Sequence, residues 1–460
     1  MHIFNLIRKD NWPLYIATAA LLIPVLILGR HLLQDTGGAY SLPRDEAFLQ
    51  LSTAKTLAFR QIWGIDRQHF VAASPSLLYP LVLAVTFFLF GANLILVPII
   101  NTAIAVILLT VIHRWLVKRG VTALNQLFIL LAVILLTPLP VMVIYGMERP
   151  LLLLFAFLFV SRLSDEWTLP EFSRRTMIYG ALMVAARYDG AIMIAAVCAL
   201  LLWHRKWLTA FELALWSLLP ALVFGIIAIF KGSYFLPNVF MVEGAGSLLS
   251  YDWLVGCGAA AAVPWLSGYL AKWPDRKAGR AAGTAMLLIA LILTARNLYA
   301  FRASERSSLG TYRIKYPVAQ FAHRYYYRYG IVSDDVGMLS FETDGRYLDL
   351  SGLASIKIAR SRLANFFSPE LIHELSREQN SQIAIISDTY DKPLPDHWIR
   401  TGQWQIPDPD PTEKRAVSFY AMDSSAATRL RKNLEEYTHF LPQDLTVQYF
   451  YSPPPEKKDP

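Results

Sequence analysis

Two adjacent acids, Asp45 and Glu46, open a stretch with the residue types of proton-transfer chemistry. Behind them Phe48, Leu49, Leu51, Leu57 and Phe59 form the apolar face of an amphipathic segment, with Lys55 and Arg60 as its charges. The stretch lies between apolar runs long enough to enter a bilayer. Carboxylates so close to lipid cost a few kcal/mol unless hydrated or paired. One reading is a catalytic carboxylate at the membrane surface. The other is an ordinary solvated helix start, because Asp and Glu favour first turns.

Other segments carry compatible groups. Arg67, His69 and Ser74 follow in the same loop, and Gly146-Met147-Glu148-Arg149-Pro150 lies between two later apolar runs. Arg187-Tyr188-Asp189 interrupts another such run, and a stretch from Lys231 to Leu249 holds Tyr234, Pro237, Asn238 and Glu243. Brought together, such acids and bases suit an anionic lipid head group: Arg or Lys holds phosphate while a carboxylate removes a proton. Plainer roles compete with each. Arg149 and Lys231 can anchor helix ends, Glu148 can pair structurally with an Arg from another loop, and His69 can be a hydrogen-bonded loop residue. Arg187 and Asp189 resist such explanations, since charge inside a membrane is functional by default.

The elements that must position these residues follow from composition. The 460 residues are 55% hydrophobic and only 17% charged, where a soluble domain has about 25% charged residues. Much of the chain therefore belongs in lipid. The two cysteines, Cys198 and Cys257, sit inside apolar runs and exclude a disulfide scaffold. The net charge of +8 reads as cytoplasmic-loop Lys and Arg rather than as a nucleic-acid surface. The first apolar run follows Arg8 and Lys9 without a small-residue cleavage site, as in an uncleaved signal anchor.

Spans are expected at 12–32, 93–114, 124–145, 149–163, 174–187, 190–204, 209–230, 251–271 and 281–299. Nine spans with the N-terminus inside place every basic cluster on the cytoplasmic side: Arg8–Lys9, Arg114–Arg119, Arg162–Arg175, Arg205–Lys206 and Lys272–Arg280. Two choices make this work. The run Ser76–Phe90 is read as an in-plane or re-entrant helix of the first outer loop, 33–92, and 176–203 is read as two short helices meeting at Arg187–Gly190. The expected fold is thus an α-helical polytopic membrane protein, 1–300, with outer-surface juxtamembrane helices and a C-terminal extracytoplasmic α/β domain at 301–452.

That C-terminal expectation rests on short β-type runs at Gly330–Val332, Gln382–Ser387 and Ala416–Tyr420, alternating with helical stretches at 368–379 and 425–438. Residues 453–460 read as a disordered tail. No Walker loop, strand–GxGxxG–helix unit or internal repeat is present, which argues against an ATP-driven pump. No His/Cys/Asp cluster has metal-ligand spacing.

Five stretches, in order, resemble the multi-spanning C-type (GT-C) glycosyltransferases. They are Asp45-Glu46-Ala47-Phe48, Ser74-Pro75-Ser76-Leu77-Leu78-Tyr79, Gly146-Met147-Glu148-Arg149-Pro150, Arg187-Tyr188-Asp189-Gly190 and Leu236-Pro237-Asn238-Val239-Phe240. Val336–Phe341 and Leu348–Leu353 are similar to the start of that group's outer domain. The set is nearest to the terminal arabinofuranosyltransferase-like group, although the acidic pair is Asp-Glu rather than Asp-Asp and Tyr188 replaces a proline.

The resemblance implies an inverting transferase in a bacterial inner membrane, active on its periplasmic side. It would move a sugar, such as arabinofuranose, from a polyprenyl-phosphate donor to a glycan, lipid or protein hydroxyl. Asp45 would be the general base with Glu46 beside it. Arg187, Lys55 and Arg60 would hold the donor phosphate, and Glu148, Asn238, His69, Ser74, Tyr79 and Asp189 would contact sugar or acceptor. No cofactor is implied; a divalent metal remains compatible. A lipid or sugar transporter or flippase, or an assembly scaffold, are the alternatives from other classes.

Overall fold

The computed structural model describes residues 11–36, 40, 42, 45–66, 69–169, 171–242, 310, 312–327, 329–406 and 415–452, with the side chains of Asp35, Asp45 and Arg415 outside that description. The helices of the first half are α1 (Trp12–Asp35), α2 (Asp45–Arg60), α3 (Leu78–Phe90), α4 (Leu96–Lys118), α5 (Ala123–Leu136), α6 (Leu139–Ile144), α7 (Arg149–Glu166), α8 (Arg174–Ala186), α9 (Gly190–Trp203), α10 (Trp207–Phe230) and α11 (Asn238–Val242).

Three helices among the described residues are long and apolar enough to cross a membrane: Trp12–Gln34, Leu96–Lys118 and Trp207–Phe230. This replaces the expected nine spans. The expected spans at 251–271 and 281–299, like the tail at 453–460, lie outside the described residues. The expected span at 124–145 is divided into α5 and α6, because Pro138 supplies no N–H to continue the ladder. The expected break inside 176–203 is present, with Arg187, Tyr188 and Asp189 separating α8 from α9. The helix expected at 76–90 is α3, 13 residues ending at Gly91 with φ +82°. At about 20 Å it is shorter than a hydrocarbon core of about 30 Å.

The second half is a three-layer α/β unit. A helix at 312–326, called α12, precedes β1 (Gly330–Ser333), α13 (Gly337–Glu342), β2 (Arg346–Asp349), α14 (Ile356–Leu363), α15 (Pro369–Glu378), β3 (Ser381–Ser387), β4 (Ile399–Ile406), β5 (Arg415–Ala421), α16 (Ser424–Tyr437) and β6 (Thr446–Tyr449). The sheet order is β2-β1-β3-β5-β4-β6, with β1 parallel to β2 and β3 and the remaining pairs antiparallel. Side chains alternate across the sheet. Ile331, Ile383 and Ile385 join the core that holds Phe321 of α12 and Leu430 of α16. Val332, Ala384 and Ile386 pack with Ile358 of α14 and Ile372 of α15 on the other face.

The two halves meet on α2. Phe341 of α13 packs against Phe48 of α2 and Phe87 of α3, with ring centroids 6.1 and 6.2 Å apart. Ser52 and Ser340 share a hydrogen bond of 2.8 Å, and the Lys55 ammonium donates to the Phe341 carbonyl at 2.5 Å. The amphipathic face read from Phe48 and Leu49 is thus covered by protein on both sides, and both side chains are buried.

Candidate active site

The chain around Ala72–Leu77 works as a short seam. The Asn238 N–H donates to the Ala72 carbonyl at 2.8 Å, Tyr188 N–H to Pro75 O at 3.2 Å, and Leu77 N–H to Ala185 O at 2.9 Å. Tyr188 thus ties the Arg187–Gly190 stretch directly to Ser74–Tyr79, and Asn238 of Leu236–Phe240 is tied to Ala72, two residues before that stretch, each across more than 100 residues of sequence. Ser74 closes the seam with a local turn: its hydroxyl donates to Ser76 O and accepts from Ser76 N–H. Tyr79 anchors the seam to the second loop, donating to Asn101 Oδ1 and to the Gly146 carbonyl, both at 3.1 Å. Gly146 has φ +71°, and a Cβ there would lie 2.6 Å from a Leu42 methyl, so both conformation and space demand glycine.

Below the seam lies a buried ion cluster. Gln50 of α2 donates from Nε2 to Glu148 Oε2 at 2.6 Å. The other Glu148 oxygen accepts from Arg187, whose Nε donates to Asp189 Oδ2 at 2.7 Å. Gln50, Glu148 and Asp189 are wholly buried and Arg187 is 6% exposed. All three charges lie in loops outside the long apolar helices. Burial pushes the Glu148 carboxyl up, but Arg187, the Gln50 amide and Arg149 outweigh it and hold the group below its ordinary value. At Asp189 burial prevails over the same guanidinium and raises the carboxyl to about 6. Gln50 Oε1, Tyr188 Oη and Asp189 Oδ1 are buried without a protein hydrogen-bond partner. Such atoms cost about 1–3 kcal/mol each when unsatisfied, which favours a polar occupant at this seam.

The cluster reaches α2 through Gln50, five residues after Asp45, about 7.5 Å along the helix axis. Two cavities adjoin the chain leading into that helix. One, of about 570 Å³, is an apolar groove between α1 and α4, lined by Val25, Leu26, Leu33, Pro98 and Ile99, with Arg30, Gln34, Tyr40 and Thr102 as polar members. The other, of about 460 Å³, lies between Glu46 and Leu49 of α2 and the sheet domain. Tyr40, which lines the first, and Glu46, which lines the second, are six positions apart in sequence.

The remaining expected site residues are distributed differently. Lys55 is engaged by α13 and lies 3.5 Å from Asp344, so it serves the domain contact. Arg60 is exposed at the far end of α2, 15 residues or about 22 Å from Asp45. His69 is exposed, with Nδ1 2.9 Å from Asp66 Oδ2. Asn238 is buried and donates to the Leu353 carbonyl of the sheet domain at 3.1 Å, while its Oδ1 has no protein partner. Arg67 and Glu243, and the side chain of Asp45, lie outside the described residues. Arg30 and Gln50 were missed. Arg30 carried a signal, a charge within an apolar run; an uncharged Gln50 carried none. Among the described residues no group of three or more His, Cys, Asp or Glu could hold a metal ion.

A protein-family profile described as a domain of unknown function, DUF8728, matches residues 303–420. The match takes in β1 to most of β5 and stops short of α16 and β6. No curated protein and no solved structure matches the chain.

Proposed function

We propose that the chain is a C-type membrane glycosyltransferase, moving a sugar from a polyprenyl-phosphate donor to a hydroxyl acceptor on the outer face of a bacterial inner membrane. The observation that carries the reading is a pair of cavities, an apolar groove lined by Tyr40 and an acid-lined cavity at Glu46, the residue next in sequence to Asp45. A lipid-linked donor needs the first and a hydroxylic acceptor the second, and the reaction needs a carboxylate within reach of the acceptor hydroxyl. The resemblance of the five stretches points to the same residues.

In this mechanism Asp45 takes the proton of the acceptor hydroxyl as its oxygen attacks the anomeric carbon. The carbon–oxygen bond to the lipid phosphate breaks on the opposite side, the phosphate leaves with the electron pair, and the configuration inverts. Arg30 is assigned the phosphate in place of Arg187, Lys55 and Arg60. Arg187 is enclosed between two carboxylates, Lys55 is held by α13, and Arg60 lies about four helical turns from Asp45. Glu148 and Asp189 hold Arg187 in the wall rather than contacting sugar directly. Ser74 and Tyr79, whose hydroxyls are used internally, shape the same wall.

Mass analysis of lipid-linked sugars and surface glycans in a deletion strain tests the reading. Accumulation of one polyprenyl-phosphate sugar together with loss of one terminal glycan residue is the expected result. Unchanged donor pools and unchanged glycans would overturn it.

A further inference from the structure

The sheet domain has its own binding crevice. After β1 the chain runs through Asp334 and Asp335 towards β2, and after β3 it runs through Asp388 and Thr389 towards β4. β1 and β3 are parallel neighbours, yet β2 lies on one side of the pair and β4 on the other. Connections that leave adjacent parallel strands in opposite directions open a crevice outside their carboxyl ends, where α/β sheets bind ligands. The cavity of about 460 Å³ is at that point, and Glu46 and Leu49 of α2 line one side of it. Its size falls within the range of small-molecule sites, about 300–1,000 Å³.

The lining defines the chemistry. Among the described lining residues Glu46, Asp334, Asp335 and Asp388 are acidic and Lys315 is the lone base. Lys315 is paired with Asp335, which leaves the described lining negative. Ser387 donates to Asp334 from both N–H and hydroxyl, so that carboxylate is firmly oriented. Ser351 and Thr389 add hydroxyls to the wall. Leu353, another wall residue, is held through its carbonyl by buried Asn238, joining the crevice to the seam that carries Tyr188. Carboxylates accept hydrogen bonds from sugar hydroxyls, while their field rejects phosphates and uronates.

We propose that this crevice is the acceptor site, taking a neutral or amino-bearing glycan chain and excluding anionic ones. The assignment rests on the transferase reading for its role, but glycan binding in the crevice can be measured without turnover. The full chain in detergent is applied to a printed array of neutral, amino- and uronic-acid-containing oligosaccharides. Binding confined to neutral or amino-bearing members is expected, weakened at least tenfold by Thr389→Trp, which fills the crevice from an exposed position, and more mildly by Asp388→Asn. Unchanged thermal melting of both variants separates this from misfolding. Absence of binding to any member, preference for anionic glycans, or indifference to both substitutions would overturn the proposal. Binding that meets the expectation while the deletion strain keeps normal lipid-linked sugars would retain the crevice and remove the transferase.

Discussion

The ion cluster and the switch-point crevice are both built around acids, and they differ in what those acids face. Glu148 and Asp189 enclose one guanidinium in a buried site. Glu46 and Asp388 are exposed on the rim of an open cavity. A buried charge that loses its partner is far more costly than an exposed one, because nothing else solvates it. The cluster thus suits a rigid wall, whereas the crevice rim can exchange water for a ligand. The comparison separates two jobs that a sequence reading assigns alike to any acid near an apolar run.

Glu148→Ala sharpens the contrast most. It strands Arg187 beside Asp189 alone and leaves the Gln50 amide without its acceptor, so a stability loss of about 3–5 kcal/mol is expected. Thermal melting in detergent reads this directly. A variant with wild-type melting that had lost donor binding would make Glu148 a ligand contact instead.

Asp349 offers a second probe, at the carboxyl end of β2. Burial raises its carboxyl to about 6 from an ordinary 3.8, against the pull of bonds from Ser351 and the Ala354 N–H. The folded chain therefore binds this proton more tightly than the unfolded chain. Its contribution to stability falls as pH rises from about 4 to about 6 and is level above that, a span of about 3 kcal/mol. Asp349→Asn should flatten the melting curve against pH over that window; an unaltered slope would assign it to other groups.

Arg30→Gln is expected to be milder, raising the donor KM about tenfold, or about 1.4 kcal/mol, with kcat little changed. An unchanged donor KM would remove Arg30 from the phosphate, and a fall in kcat alone would place its effect in the transition state.

Much of the architecture was legible because charge and lipid are incompatible. Arg187 and Asp189 could not remain inside one long helix, so the α8–α9 break could be read from four residues. The number of spans was less legible, since apolar composition does not distinguish a helix facing lipid from one packed inside protein: α5 and α9 are apolar but short. In the sheet domain β1, β3 and β5 stood out through runs of β-branched and aromatic residues. β4, with Thr401, Gln403 and Gln405 alternating with buried Trp404, reads as polar, and β2 and β6 are four residues each. At the site, the motif stretches foretold a meeting but not its form. Glu148 pairs with an Arg from another loop, as its plainer role allowed, and that pairing uses the cation expected to hold phosphate. Asp334, Asp335 and Asp388 were passed over because each follows a strand whose neighbours only the folded topology reveals.

The proposed mechanism turns on Asp45. Purified chain reconstituted in vesicles with a radiolabelled polyprenyl-phosphate sugar and a hydroxylic acceptor gives the most direct measurement, comparing wild type with Asp45→Asn at saturating donor. Loss of the general base predicts a fall in turnover of about 10²-fold or more, with donor binding retained. Equal turnover by the two proteins would contradict the mechanism.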